Sequence, residues 1–196
     1  MGDRLPPRAD AERSGRSTRA CVLRRTGLQA RTASRLCRDS GRREQRKTDP
    51  IEIRQAVLAD LKVLAALLDD YRHFYGRKSD TAAARAFLQA RFEHGQSVLL
   101  LAHDGVTPVG FTQLYPSFSS VSLARVFILN DLFVAPTHRR AGVGTLLLDA
   151  AAGYARAMGA VRLSLNTDIG NTTAQALYEA KGWKRDQEYF AFHLTL

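Results

Sequence analysis

Cysteine runs out early in this 196-residue chain: there are two, Cys21 and Cys37, and none follows. Everything beyond position 37 therefore lacks a disulfide framework and a thiolate metal site, offers no cysteine nucleophile for a covalent intermediate, and fits a reducing, cytoplasmic setting. The five histidines, at 73, 94, 103, 138 and 193, never take the His-x-x-x-His spacing that puts two imidazoles on one helix face, so no metal is expected. No apolar run approaches the roughly 18 residues of a membrane-spanning helix, and no secretory apolar core is visible.

Acidic residues are scarce in one place. The first fifty residues hold 13 arginines and 1 lysine against 6 acids, whereas the remainder holds 15 basic residues against 13 acids, so most of the formal +10 lies in the first quarter. That quarter has scattered Arg, Ser, Thr, Gly and Pro and no sustained apolar period, and is expected to be a disordered extension over residues 1–48. It reads as a solvated tail or an upstream start codon read in error, with three functional alternatives: an organelle transit peptide, a basic nucleic-acid arm and a membrane-surface tether. Asp3, Asp10, Glu12, Asp39 and Glu44 weigh against the transit peptide, and Pro6 stands where a myristoylation signal has Ser or Thr. Residues 49–196 are long enough for one domain and carry no composition that demands nucleic acid or a membrane.

Hydrophobic periodicity divides that domain. Alternation over 51–54 gives a first strand; after Asp60, a candidate N-cap, apolar residues at 63, 64, 67, 68, 71 and 74 or 75 give a helix stopped at Gly76. A second helix runs from Asp80 or Thr81 to about Phe92. Residues 97–103, the Asp104-Gly105 turn and 109–115 make a hairpin ended by Pro116, and a long strand over 125–134 is closed by Pro136. A helix over 145–158, with Val143, Leu146, Leu147, Ala150, Tyr154 and Met158 on one face, ends at Gly159. A strand over 161–166 leads to Asn171 and a capping pattern that opens a last helix, and two more strands are expected at 183–185 and 189–196. The sum is an α/β (α+β) domain: a mixed, mostly antiparallel sheet of about seven strands with about four helices on its faces.

Between the long strand and the next helix lies Arg139-Arg140-Ala141-Gly142-Val143-Gly144-Thr145. Glycines at 142 and 144 let a ligand approach backbone N–H groups, the helix presents unpaired first-turn donors and its positive dipole end, and two arginines add charged donors; a pyrophosphate needs this chemistry. Neither common nucleotide fingerprint fits. Leu147 stands where a dinucleotide fold has its third glycine, and no Gly-Lys-Ser/Thr follows as in a P-loop.

With Arg139-x-x-Gly142-x-Gly144 and, downstream, Asn171-x-x-Ala174-x-x-Leu177-Tyr178-Glu179-x-x-Gly182-Trp183, the chain from about 51 to 196 resembles the GCN5-related N-acetyltransferase (GNAT) superfamily. The run Ile128-Leu129-Asn130-Asp131-Leu132-Phe133-Val134 is most similar to its diamine (spermidine/spermine) and histone or small-amine branch, with Asn130-Asp131 where the polyamine enzymes have Glu-Asp. The resemblance implies an acyl-CoA N-acyltransferase fold and transfer of acetyl from acetyl-coenzyme A to a primary amine, by direct attack in a ternary complex and without a metal. A small molecule such as a polyamine or amino acid is the first acceptor, and a protein lysine or N-terminal amine the alternative. A coenzyme A binding module without catalysis, or a nucleic-acid binder acting through the tail, is the reading from another class. Similar enzymes are often homodimers.

Residue by residue, the resemblance implies that the backbone of Leu132, Phe133 and Val134 pairs with the pantetheine arm as an added strand. The N–H groups from Arg139 through Arg140, Ala141, Gly142, Val143 and Gly144 to Thr145 receive the pyrophosphate, and Asn171 and Ala174 lie beside the pantetheine. Tyr178 sits near the sulfur, where a phenol can protonate a departing thiolate, although an amphipathic helix also buries tyrosines for packing alone. The acceptor sets the harder requirement. A lysine-like ammonium is neutral in only about one molecule in 2,500 at pH 7, roughly 4.6 kcal/mol of barrier if nothing helps. Asp131 is the candidate base, directly or through a water, or else an amine anchor, with pairing to Arg125 as its structural alternative, and Tyr75, Tyr115, Phe118 and Asn130 are candidates for the acceptor wall. Tyr71, His73 and Phe74 belong to the same aromatic group and could also wall the groove, although Tyr71 and Phe74 fit the buried face of their helix and read first as packing. Alternation puts Asn130 and Asp131 on opposite faces unless a bulge intervenes.

Overall fold

Alternating apolar residues build a sheet, and helical periodicity covers it on both sides. In the computed structural model, which describes residues 50–195, five strands form one sheet in the order β1 (Glu52–Gln55), β2 (Val98–Asp104), β3 (Thr107–Ser119), β4 (Ala124–Val134) and β5 (Arg162–Leu165). The first four are antiparallel neighbours, and β5 returns parallel to β4. The expectations placed on residues 1–48 lie outside the described residues, as does Leu196.

Four helices accompany the sheet: α1 (Leu61–Phe74), α2 (Thr81–Glu93), α3 (Val143–Ala157) and α4 (Thr172–Ala180). Leu99 and Leu101 of β2, Phe111 of β3 and Phe133 of β4 meet Leu64, Ala65 and Leu68 of α1 and Ala84 and Leu88 of α2. Leu100, Leu114, Phe127 and Leu129, on the other face, meet Leu148, Ala151 and Ala155 of α3. Each fully buried Leu or Phe contributes roughly 1.5–3 kcal/mol, so the centre of the sheet is the rigid part of the domain.

The end of α1 is fixed by a polar tie. Asp69, buried on α1, accepts hydrogen bonds from the Ser79 and Thr81 hydroxyls, from the Asp80 N–H at 2.8 Å and from Arg72 at 3.2 Å. The Ser79 hydroxyl above all holds its carboxyl below the usual carboxylate range. Asp80 in turn caps α2 by accepting from the Ala83 N–H at 2.8 Å. The α1 turn that carries Tyr71, Phe74 and Tyr75 is thereby held against α2.

Along β4 the sheet departs from regular pairing in two places. In the β3–β4 ladder Gln113 faces Asp131 and Leu114 faces Leu129, which leaves Asn130 as an extra, bulged residue. On the other side β4 pairs with β5 only from Val126 to Leu129, so the last residues of β4 run on without a strand beside them among the described residues.

Several sequence expectations change. The sheet has five strands, not about seven: residues 183–195 are neither helix nor strand, and Tyr189, Phe190, Phe192 and Leu194 are exposed. Alternation specifies a strand only where an edge and an apolar face receive it, and no ladder joins this segment to β5. Pro116 does not end β3, which continues to Ser119, because β2 stops pairing at Leu114 and leaves one side of β3 open, where a residue without an N–H is tolerated. Leu146 and Met158 are exposed; the buried stripe of α3 is Val143, Leu147, Leu148, Ala151 and Ala155. Asp60 caps no N–H of α1. Its carboxylate grips Arg54 at 2.7 Å and accepts from the Val57 N–H, which lowers its pKa to about 2.

Candidate active site

Where β4 parts from β5, a cleft opens that encloses about 140 Å³, room for a slender arm rather than a whole nucleotide-bearing ligand. Leu129, Asn130, Leu132, Phe133 and Val134 of β4 form its floor, Asn166, Thr167, Asn171, Ala174 and Tyr178 one wall, and Tyr71, Phe74 and Tyr75 the other. No charged side chain lines it among the described residues.

The glycine turn follows the same strand. Gly142 precedes α3 with φ +81, a left-handed conformation that glycine adopts without strain, and a Cβ built on it would meet nothing within 4 Å. The helix opens without a side-chain cap, and no backbone hydrogen bond outside the helices and strands starts from the N–H groups of residues 140–145. Six consecutive donors at the positive end of a helix are suited to an anion, so the turn fits a pyrophosphate. The Arg139 side chain is not among the donors: its Nε donates to the Val134 carbonyl at 3.1 Å, its guanidinium lies 5.3 Å from the Phe74 ring, and its N–H meets Pro136 O at 3.5 Å. Arg140, exposed and at φ +64, remains the charged side chain at the turn.

Asn171 is the N-cap of α4, its Oδ1 accepting from the Ala174 N–H at 3.3 Å, and it also faces the cleft. Tyr178 projects from α4 into the cleft and packs against Trp183 at 6.1 Å. Burial above all pushes its phenol up, so the group is a neutral donor at physiological pH.

Asp131 is only 7% exposed and stands behind the cleft wall. The Asn130 amide donates to its Oδ2 at 3.1 Å, so the bulge does bring these two side chains together. Burial raises the Asp131 pKa, opposed first by the Asn130 amide. Arg125 is not its partner; that guanidinium lies over Phe118 at 5.3 Å. Phe118, 71% exposed and paired with Arg125 at the far end of the β3–β4 ladder, leaves the acceptor wall, and Tyr115 is half-buried between Arg91 and Asp131 without lining the cleft. Tyr75 and Asn130 do line it.

Sequence reading missed Asn166 and Thr167 as wall residues, and Gly110, and it favoured packing over the wall for Tyr71 and Phe74, which do line the cleft. Tyr71 carried a signal as one of the aromatics grouped near Tyr75, but its place on the buried face of the helix favoured packing. Gly110 lies against β4, where a Cβ would stand 2.6 Å from the Phe133 carbonyl oxygen. Among the described residues no three His, Cys, Asp or Glu side chains could hold a metal ion, and no helix is long and apolar enough to cross a membrane.

Comparison with known proteins bears on this geometry. The sequence pattern described as "Acetyltransferase (GNAT) family" matches residues 63–183. The chain is 46% identical over 146 residues to "Uncharacterized N-acetyltransferase YhfO" of Bacillus subtilis (strain 168), an alignment covering 74% of this chain and 98% of that protein. It is 27% identical over 141 residues to a "Probable acetyltransferase" of Haemophilus influenzae, covering 70% and 92%. A solved structure described as "Crystal structure of a probable acetyltransferase" superposes with a TM-score of 0.71 at 44% identity, over 74% of this chain and 97% of that one. With the family pattern spanning most of the domain and a relative nearly half identical along almost its whole length, the chain belongs to the acetyltransferase (GNAT) family and is an acetyl-transferring enzyme.

Proposed function

We propose that the protein transfers acetyl from acetyl-coenzyme A to the primary amine of a small molecule, by direct attack in a ternary complex. The observation that carries this reading is the row of six backbone donors at residues 140–145, which follows the strand that floors a cleft where β4 runs on past β5. Acetyl-coenzyme A supplies the acetyl thioester, whose carbonyl carbon the amine attacks and whose sulfur departs. The 140–145 donors hold the pyrophosphate, and the free side of β4 over 132–134 holds the pantetheine. Tyr178, neutral and half-buried, gives its phenolic proton to the departing sulfur. Asp131 takes up a proton from the acceptor ammonium, and its raised pKa narrows the gap between the two groups.

The lining also bears on the acceptor. A polyamine carries several ammonium groups, and a cleft without a charged side chain among the described residues leaves all but one unpaired. The aromatic wall of Tyr71, Phe74 and Tyr75 favours a small monoamine over a diamine, in line with Asn130 in place of a second carboxylate. The test is acetyl transfer to benzylamine, glycinamide, spermidine and a lysine-bearing histone-like peptide. Benzylamine or glycinamide should exceed spermidine and the peptide in kcat/KM by roughly tenfold or more, the effect of one ammonium left without a partner. Turnover of the peptide alone, or of none of the four, sinks the proposal.

A further inference from the structure

We infer that Arg139 is a positioning residue that locks the two halves of the coenzyme site to each other, through the hydrogen bond of its Nε to the Val134 carbonyl and not through its charge. The inference rests on the function proposed above and deepens it. One half is the free side of β4 over 132–134, and the other is the donor row at 140–145.

The ladder fixes which groups of β4 face that free side. The Ala135 N–H donates to Val109 O at 2.8 Å, so the next antiparallel pair, Gly110 and Val134, turns its N–H and C=O groups away from the ladder, as does the pair Thr112 and Leu132. Because β5 pairs only as far as Leu129, these outward groups of Leu132 and Val134 have no strand beside them among the described residues. One of them is nonetheless taken. Arg139 Nε donates to Val134 O at 3.1 Å, from five residues further along the chain, and so closes 134–139 into a pinned loop. The open edge therefore ends at Val134.

The rest of the side chain is held off the donor row. Its guanidinium lies 5.3 Å from the Phe74 ring and 6.0 Å from the Phe133 ring, which together keep it beside β4. Other ties hold the loop elsewhere: the Ala135 and His138 N–H groups bond to Val109 O and Ala135 O, and His138 Nε2 lies 3.3 Å from Asp104. Among the described residues, only the Arg139 side chain bonds the loop to the free side of β4. Directly after it the backbone turns left-handed at Arg140, φ +64, which a residue with a Cβ keeps only where its surroundings impose it. The pin thus aims the donor row. A ligand that spans both halves gains from their fixed separation, whereas a ligand that fills one half does not.

Side-chain chemistry supplies the test. Glutamine carries its amide nitrogen as many bonds from Cα as arginine carries Nε, so Arg139→Gln keeps a donor for Val134 O and loses the charge, whereas Arg139→Met loses both. The full chain is titrated calorimetrically with coenzyme A, with ADP and with pantetheine. Arg139→Met should weaken coenzyme A by about five- to tenfold, the worth of one hydrogen bond, and Arg139→Gln by less than about twofold. ADP, which fills only the donor row, and pantetheine, which fills only the β4 edge, should each stay within about twofold in both variants, which also shows that turn and edge are folded. Loss of either fragment in step with coenzyme A marks a guanidinium on the phosphates or a collapsed edge and overturns the inference. A glutamine variant no better than the methionine one, or a methionine variant that binds like wild type, overturns it too. A wild type that does not bind coenzyme A overturns the inference together with the function beneath it. Titrations as expected, with benzylamine and glycinamide left unacetylated, overturn the small-amine function alone.

Discussion

Asp131 sits at a point where stability and chemistry pull apart. Its carboxyl is buried with the Asn130 amide as hydrogen-bond partner and no salt-bridge cation among the described residues, so ionising it costs desolvation that this bond only partly offsets. Because the folded-state pKa is raised above the unfolded one, the native state holds the extra proton, and stability falls as pH rises from about 4 through the folded value. Asp131→Asn is expected to melt at the same temperature as wild type near pH 4 and no lower, or higher, at pH 8, while its acetyl transfer to an amine of high pKa falls by about 10²- to 10⁴-fold. Thermal unfolding at the two pH values, with initial rates, checks this. A variant that melts lower at pH 8 and keeps its rate shows a structural carboxylate.

At the scale of the element, the strand end that meets the turn is held by close approaches that only particular residues permit. Gly110 on β3 lies so near β4 that a Cβ would be 2.6 Å from Phe133 O and 3.4 Å from Leu147, at the stretch of β4 proposed to hold the pantetheine. Gly153, inside α3, has open space around it. Gly110→Ala is expected to destabilise by about 1–3 kcal/mol through overpacking, and to weaken acetyl-coenzyme A binding by displacing β4. Gly153→Ala should stabilise by about 0.5–1 kcal/mol through helix propensity alone and leave binding unchanged. Denaturant melts and calorimetric titration separate the two; equal effects of both substitutions contradict the close approach. The tie at Asp69 works on the same scale, fixing the α1 end that carries Tyr71 and Tyr75.

For the molecule as a whole, charge and chemistry occupy different parts of the chain. Most of the net +10 belongs to the first fifty residues, whereas the family pattern, the cleft and the glycine turn all fall within residues 63–183. We propose that residues 49–196 are the complete catalytic unit. Deletion of residues 1–48 should leave acetyl-coenzyme A affinity within about threefold, since electrostatic attraction from an extension is screened beyond roughly 8 Å at physiological salt. A tenfold loss on titration would make the extension part of the site, and salt-sensitive DNA binding that vanishes with the deletion would support the nucleic-acid arm instead.

The sequence by itself determined the helices, the first five strands and the turn at 139–145, because those depend on local periodicity, glycine and capping residues within a few positions of one another. It also carried Tyr178 and Asp131 as candidates through a motif of fixed spacing. Only the tertiary structure decided which candidates share a cleft. It turned Arg139 back onto Phe74, removed Phe118, left 183–195 without a sheet edge and buried Asp131 away from the cleft lining. The placing of Asp131 depends on a single bulge at Asn130 and the cleft on how far β5 follows β4, and no residue-by-residue pattern encodes a register that two distant strands settle between them.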